Sequence, residues 1–289
     1  MKMQLLAITA LIAVTAIWGS TFIVVQNAIS EMPVMDFLAI RFTVAAIVLF
    51  LWRPRCLKSM TLRGWVRSIL IGISLCLGFI TQTYGLQYTS AAVSGFITGM
   101  FVVITPLISW LLLRREISLS IWVAVALATI GLGFLSLKGW SIGAGELLTF
   151  LCAIFFAFHI VSLGEWAVKY DAYGVALIQI GVVAIISMVA AIPDGITLPP
   201  SITVWGAVIL TAIFASAVGF LVQTWAQTII SPSRAAITLT MEPVFAGIFA
   251  VFIGGEQLTL RLIAGAVLVL SAMLITSRRA EPHLRTLEP

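Results

Sequence analysis

Apolar residues run through this chain in long blocks, separated by short polar breaks. Ten blocks reach the roughly 20 residues that a helix needs to cross a bilayer. They cover 5–25, 36–53, 65–86, 92–112, 119–138, 145–164, 173–192, 203–226, 234–253 and 259–277. The breaks hold residues that stop or turn a helix: Pro33, Pro54, Ser90, the Asp194-Gly195 turn with Pro199 and Pro200, and Pro232. The pattern predicts an all-α membrane protein of ten transmembrane helices, with connections too short for a soluble domain.

Composition agrees. Of the 289 residues, 61% are hydrophobic and 9% charged, and the mean hydropathy is +1.16. A soluble domain carries roughly 25% charged residues, and a globule of this size cannot hide so much apolar side chain from water. Three cysteines are too few for a secreted disulfide scaffold. Cys76 and Cys152 lie inside apolar runs, and Cys56 sits in a basic loop expected to face a reducing cytoplasm.

A net charge of +5 and a pI near 9.4 raise the question of nucleic acid. The charges collect instead in loops between apolar runs, with no basic stripe, zinc spacing or aromatic RNA-binding motif, so no nucleic-acid partner is expected. With the N-terminus inside, the outer segments hold only Arg41, Lys138 and Arg261 among the lysines and arginines. Lys2, the Arg53–Arg67 cluster, Arg114, Arg115, Lys169, Arg234, Arg278, Arg279 and Arg285 then all fall inside. This bias predicts both termini in the cytoplasm. The first run follows Lys2 as a signal peptide's would, but it is long, contains Trp18 and lacks a clear cleavage site, so it is expected to remain. Trp52, Trp65, Trp110, Trp122, Trp166 and Trp225 fall near inner helix ends, and Trp140 and Trp205 near outer ends, as interfacial belts do. Trp18 alone lies deep, about 20 Å along its helix at 1.5 Å per residue.

The chain also repeats itself. Gly78-Phe79-Ile80-Thr81-Gln82-Thr83-Tyr84 matches Gly219-Phe220-Leu221-Val222-Gln223-Thr224-Trp225, Arg115-Glu116-Ile117-Ser118-Leu119 matches Gly255-Glu256-Gln257-Leu258-Thr259, and Ala16-Ile17-Trp18 matches Ala153-Ile154-Phe155. The chain therefore divides into 1–141 and 142–278, two repeats of five helices each, with 279–289 as a cytoplasmic tail. Five spans is an odd number, so the halves face opposite ways. Such inverted-topology repeats are how many secondary transporters build two exchangeable states; duplication kept for stability alone is the other reading.

Several segments carry a resemblance to a known family. Trp18-Gly19-Ser20-Thr21-Phe22, Arg41-Phe42, Ser94-Gly95-Phe96-Ile97-Thr98-Gly99 through Thr105-Pro106-Leu107, Met241-Glu242-Pro243-Val244-Phe245 and Gly254-Gly255-Glu256 together resemble the EamA branch of the drug/metabolite transporter superfamily. Their order and spacing, over about residues 5 to 277, are more specific than any one of them. The resemblance implies a ten-helix transporter in the bacterial cytoplasmic (inner) membrane, exporting small metabolites, with amino acids the leading substrate class.

Charged groups at bilayer depth need partners or a wet cavity, because each costs at least about 2.5 kcal/mol to insert. Glu242 lies roughly 12 Å into the ninth run, near the midplane, and Pro243 after it frees a backbone carbonyl. It reads as a cavity carboxyl that holds a substrate ammonium or exchanges a proton, or else as a structural acid. His159, about 21 Å into the sixth run, reads as a titrating imidazole or as hydrogen-bonded structure. Arg41 is expected to snorkel outward or pair with Asp36. Trp18, beside the small residues Gly19 and Ser20, reads as an indole that stacks on a substrate or donates it one hydrogen bond, or else as core packing. Gln82 with Tyr84, and Gln223 with Trp225, sit at opposite membrane ends and read as gate elements or as interfacial anchors. Gly95-x-x-x-Gly99 predicts close helix packing, with room beside Thr98 and Phe101.

These residues support a secondary transporter with its cavity at the repeat interface, between the first, third, fourth, sixth, eighth and ninth spans. The expected partners are a small-molecule substrate, membrane lipid and, as a candidate coupled ion, a proton. The sequence has no phosphate-binding lysine loop for ATP, no second histidine in a run for a metal, and no nucleophile–base motif for an intramembrane enzyme. No cofactor is expected. Export of amines, drugs or other solutes, an intramembrane enzyme and a non-transporting scaffold are the competing readings.

Overall fold

The computed structural model describes residues 2–113, 118–138, 141–230, 235 and 238–278. Helices fill it: α1 (Lys2–Ile29), α2 (Val34–Trp52), α3 (Leu62–Gly85), α4 (Ala91–Gly99), α5 (Phe101–Leu113), α6 (Leu119–Ser136), α7 (Ala144–Trp166), α8 (Ala172–Ala191), α9 (Ile202–Leu210), α10 (Gly219–Ala226), α11 (Met241–Phe252) and α12 (Leu260–Arg278). The described strands are two residues each, Leu137–Lys138 paired antiparallel with Ser141–Ile142. Seven segments are long and apolar enough to cross a membrane, counting α4 with α5 and α9 with α10 as one each. Three shorter apolar helices, Leu119–Leu135, Met241–Phe252 and Leu260–Ile275, accompany them. The basic residues Arg114, Arg115, Arg234, Arg279 and Arg285, together with Glu116, Trp140 and the 279–289 tail, lie outside the described residues.

Local chemistry sets the helix starts. Thr61, Ser90 and Ser201 each accept a hydrogen bond on the side-chain oxygen from the backbone N–H three residues on, at 3.2, 3.3 and 3.3 Å, which satisfies one of the donors a helix start leaves free. Pro33 and Pro54 bracket α2.

Two apolar runs are not single regular helices. The fourth breaks between α4 and α5, where the Met100 N–H bonds to the Ile97 carbonyl at 3.1 Å. The break follows Gly99, a poor helix former, and lies well before Pro106. The eighth passes through a π-helical stretch, Thr211–Val218. Its first residue, Thr211, bonds back to the Ala207 and Val208 carbonyls at 2.7 and 3.1 Å, a side-chain intrusion that bends helices. The ninth run has a turn at Thr240 before α11 begins.

Packing joins elements far apart in sequence. α6 lies along α12, α3 along α7, α2 along α8, and α1 along α11, while α4 rests on α11 and α1 on α10. Lipid tails are as apolar as leucine, so helix association in a membrane depends on close van der Waals contact and small residues. Ala39, Ala45, Ala124, Ala153, Ala157, Ala212, Ala246 and Ala250 are accordingly buried at such contacts. A Cβ on Gly19 would lie 2.7 Å from the Ala246 nitrogen and 2.9 Å from the Glu242 carbonyl oxygen. Gly95 meets Ala246 from the other side, and Gly99 meets Pro243 and Met273. The Gly95-x-x-x-Gly99 pattern is thus a seat for α11.

Candidate functional site

The packed helices leave a central cavity of about 50 Å³, several times what one water needs. Its aromatic wall is formed by Trp18 and Phe22 from α1, Phe79 from α3, Phe101 from α5, Phe156 from α7 and Phe220 from α10. Its polar groups are Thr21, Arg41, Gln82, His159, Gln223 and Glu242. Seven of the ten apolar runs contribute: the six expected and the second, through Arg41.

The aromatics brace one another. Phe79 meets Phe42, Phe156 and Phe220 at centroid distances of 4.8, 5.4 and 5.7 Å, all edge to face, the arrangement the ring quadrupole favours. Trp18 lies 5.1 Å from Phe220, and its Nε1 donates to the Ala215 carbonyl at 2.8 Å. That carbonyl belongs to the π-helical stretch.

Arg41 is buried, 3% exposed. Its Nε donates to Ser216 Oγ at 2.9 Å, and its guanidinium lies 5.0 Å from the centroids of Phe42 and Phe79. Asp36, the partner the sequence suggested, instead accepts from the Thr197 N–H at 2.9 Å. Arg41 therefore neither snorkels nor pairs with Asp36. Distance from the helix end does not fix which face of the helix the residue occupies. Glu242 is 6% exposed and stands in the first turn of α11, just past the Thr240 turn. The two charged groups line one cavity, yet they form no ion pair with each other.

His159 is 2% exposed, with Nε2 2.7 Å from Gln179 Oε1. Gln179 Nε2 donates to Thr224 Oγ1 at 3.1 Å, and Thr224 donates to the Phe220 carbonyl at 2.6 Å. Gln82 Nε2 donates to Thr98 Oγ1 at 3.3 Å, and the Gln223 Oε1 is buried without a partner.

A family model, the EamA-like transporter family, matches residues 5–137 and 143–278. The chain belongs to that family. An uncharacterized transporter of Archaeoglobus fulgidus is 34% identical, covering 96% of this chain and 87% of the relative. The uncharacterized inner membrane transporter YedA of Escherichia coli (strain K12) is 27% identical over 92% of this chain and 89% of its own. A crystal structure with 18% identity has the same fold, with a TM-score of 0.68 over 95% of this chain and 99% of that one. This EamA-like chain is a multi-pass membrane protein of a transporter family.

Among the candidates read from the sequence, Trp18, Gln82, Phe101, His159, Gln223 and Glu242 meet at the cavity of this EamA-like protein. Gln82 and Gln223, read from the sequence as gate elements or interfacial anchors, both line this one space. Thr98 stands behind Gln82 as its acceptor. Three candidates lie elsewhere. Ser20 bonds back to the Ile17 carbonyl at 2.7 Å, Tyr84 is part of the packing around the main core, and Trp225 packs with Ala7, Leu11 and Ile230. Sequence reading missed Phe79, Phe156 and Phe220 as wall residues. The repeated Gly-Phe at 78–79 and 219–220 was the signal for two of them.

Proposed function

We propose that this chain is a secondary transporter that exports small polar metabolites, amino acids first among them, by alternating access through the central cavity. The observation that carries the reading is the pair Arg41 and Glu242. A buried guanidinium and a buried carboxyl line the same space, with no ion pair joining them among the described residues. Buried charge without a countercharge is costly. A zwitterion supplies both countercharges at once, its carboxylate to Arg41 and its ammonium to Glu242, with aromatic faces for the rest of the molecule.

Alternating access is supported by the way the two repeats, 1–141 and 142–278, meet. Phe79 and Phe220 match in the internal repeat and touch each other, as repeat mates do only near a symmetry axis. The packing exchanges partners in the same sense: α3 lies on α7 as α10 lies on α1. Interruptions at Met100 and Thr240 fall at the repeat offset and precede the cavity residues Phe101 and Glu242. Broken helices at matched places in two halves are a mark of transporter binding sites. On this reading ten helices span the bilayer as two inverted five-helix repeats, with both termini cytoplasmic. Transport itself is the whole activity, without an enzymatic step, and Glu242 is the candidate carrier of a coupled proton.

Counterflow in proteoliposomes tests this. Vesicles loaded with each common amino acid should accumulate labelled amino acid outside the reach of simple leak, and Glu242→Gln and Arg41→Met should each lower the rate tenfold or more. Exchange of simple amines that is indifferent to Arg41→Met would overturn the zwitterion reading in favour of amine export.

A further inference from the structure

Three hydrogen bonds in series fix the direction of every donor behind His159. The chain ends on a backbone carbonyl, that of Phe220, which can only accept. Thr224 Oγ1 spends its proton there, so toward Gln179 it accepts, and Gln179 must turn its amide nitrogen to it. The Gln179 oxygen is then left facing His159 Nε2 at 2.7 Å, and an oxygen there requires that Nε2 be the donor. This order also settles which end of the Gln179 amide is which, an assignment that otherwise rests on choice. The other ring nitrogen, Nδ1, has no protein partner among the described residues, and it is not among the enclosed polar atoms lacking one. His159 is a wall of the cavity, so that nitrogen is reachable from it.

We infer that Gln179 and Thr224 hold uncharged His159 as the single Nε2–H tautomer, so that Nδ1 stands as a fixed acceptor for an ammonium N–H of the transported molecule. The inference deepens the zwitterion reading and rests on it for the identity of the ligand. An ammonium has three donors and no acceptor. The Glu242 carboxyl takes one, and His159 Nδ1, on the wall of the same cavity, offers to accept a second. Gln179 is a positioning residue: it lies on α8, does not line the cavity, and acts only through the imidazole. Without the relay, both tautomers are available, and the half with Nδ1–H meets the ammonium donor to donor.

The sequence makes the test clean, because His159 and His283 are its two histidines. In a His283→Gln background, histidine-labelled protein in lipid gives one pair of ring ¹⁵N resonances. The expected pattern is one protonated-type nitrogen, Nε2, and one unprotonated-type nitrogen, Nδ1. Two protonated-type signals, or the opposite assignment, would overturn the inference. Gln179→Leu should turn the single pattern into a mixture of tautomers; an unchanged pattern would mean that the relay does not set it. Methylammonium should shift the Nδ1 resonance and tetramethylammonium, which has no N–H, should not. Equal response to the two, or none to either, would remove the donor–acceptor contact. For transport, His159→Asn keeps an acceptor near the Nδ1 position, whereas His159→Gln reaches only toward the relay. The former should retain counterflow to within about threefold and the latter should lose about tenfold, the size of one buried hydrogen bond. If the resonances behave as stated while no amino acid exchanges, the tautomer lock stands and the substrate reading fails alone.

Discussion

The indole of Trp18 reaches from α1 to donate its proton to the backbone carbonyl of Ala215, 2.8 Å away, inside the π-helical stretch of the eighth run. A widened turn displaces the carbonyls of a helix from their usual partners, and here a side chain from α1 supplies the donor. Trp18→Phe keeps the aromatic wall and removes that donor. The expected loss is about 1–3 kcal/mol of stability for a buried carbonyl left without a partner, seen as a lower unfolding temperature in lipid nanodiscs, with counterflow reduced more than the remaining aromatic stacking would suggest. Gly219 backs the same indole, where a Cβ would lie 2.7 Å from Nε1. Gly219→Ala should therefore reproduce the transport defect of Trp18→Phe by crowding the indole rather than replacing it; full activity in that variant would contradict the fixed position of Trp18.

Arg41 is held by shape as well as charge. Its planar group rests 5.0 Å from two phenylalanine rings while Nε bonds to Ser216, and a lysine cannot reproduce that combination. Arg41→Lys is expected to raise the counterflow half-saturation concentration tenfold or more, since the ammonium cannot grip a carboxylate with two parallel bonds. Ser216→Ala should have a smaller effect in the same direction. Kinetics of the two variants against substrate concentration provide the check.

Gly95 seats α11 by admitting the Ala246 methyl group. Adding a methyl there overfills the joint, at a cost of about 1–3 kcal/mol. The compensating variant is available: Ala246→Gly removes the opposing carbon. A double-mutant cycle of Gly95→Ala and Ala246→Gly, read by thermal unfolding, should recover most of the loss in the double variant. Additive losses would mean that the two positions do not touch.

The loop between α2 and α3 offers a test of orientation. Cys56 is buried there, and burial, reinforced by the nearby Asp171 carboxylate and partly opposed by Arg53, pushes its thiol above the ordinary range. Fewer thiolates exist at any given pH, so Cys56 should react with maleimide more slowly than a free thiol and accelerate as the pH rises. Cysteines introduced at the exposed positions Lys58 and Tyr88 stand out against that background. With the termini inside, an impermeant maleimide should label Tyr88→Cys in intact cells and Lys58→Cys only after permeabilisation. The reverse pattern would invert the topology.

Much of the helical layout was legible in the sequence because it depends on the length of apolar runs, which survive any packing. The interruptions at Met100 and Thr240 and the π stretch were not, since a glycine or a back-bonding threonine inside an apolar run is tolerated in many regular helices and does not by itself mark a break. Glu242 and Trp18 stood out through their depth, each a polar or amphipathic group with no interface to reach, and through their neighbours Pro243, Gly19 and Ser20. Arg41 failed the same argument. It lies close enough to a helix end for its length to reach the surface, and only the rings of Phe42 and Phe79 and the hydroxyl of Ser216 decide that it turns inward. Trp225 failed in the opposite way, its kinship with a cavity segment outweighed by the face it occupies beside α1.

The contact at Gly19 governs what can move. With no side chain between the backbone of α1 and the 242–246 stretch of α11, there is no layer of rotamers to slip, and Gly95 closes the same stretch from α4. Indole and carboxyl are thereby mounted on one chassis. Any movement that widens the cavity must carry Trp18 and Glu242 together, as one rigid wall.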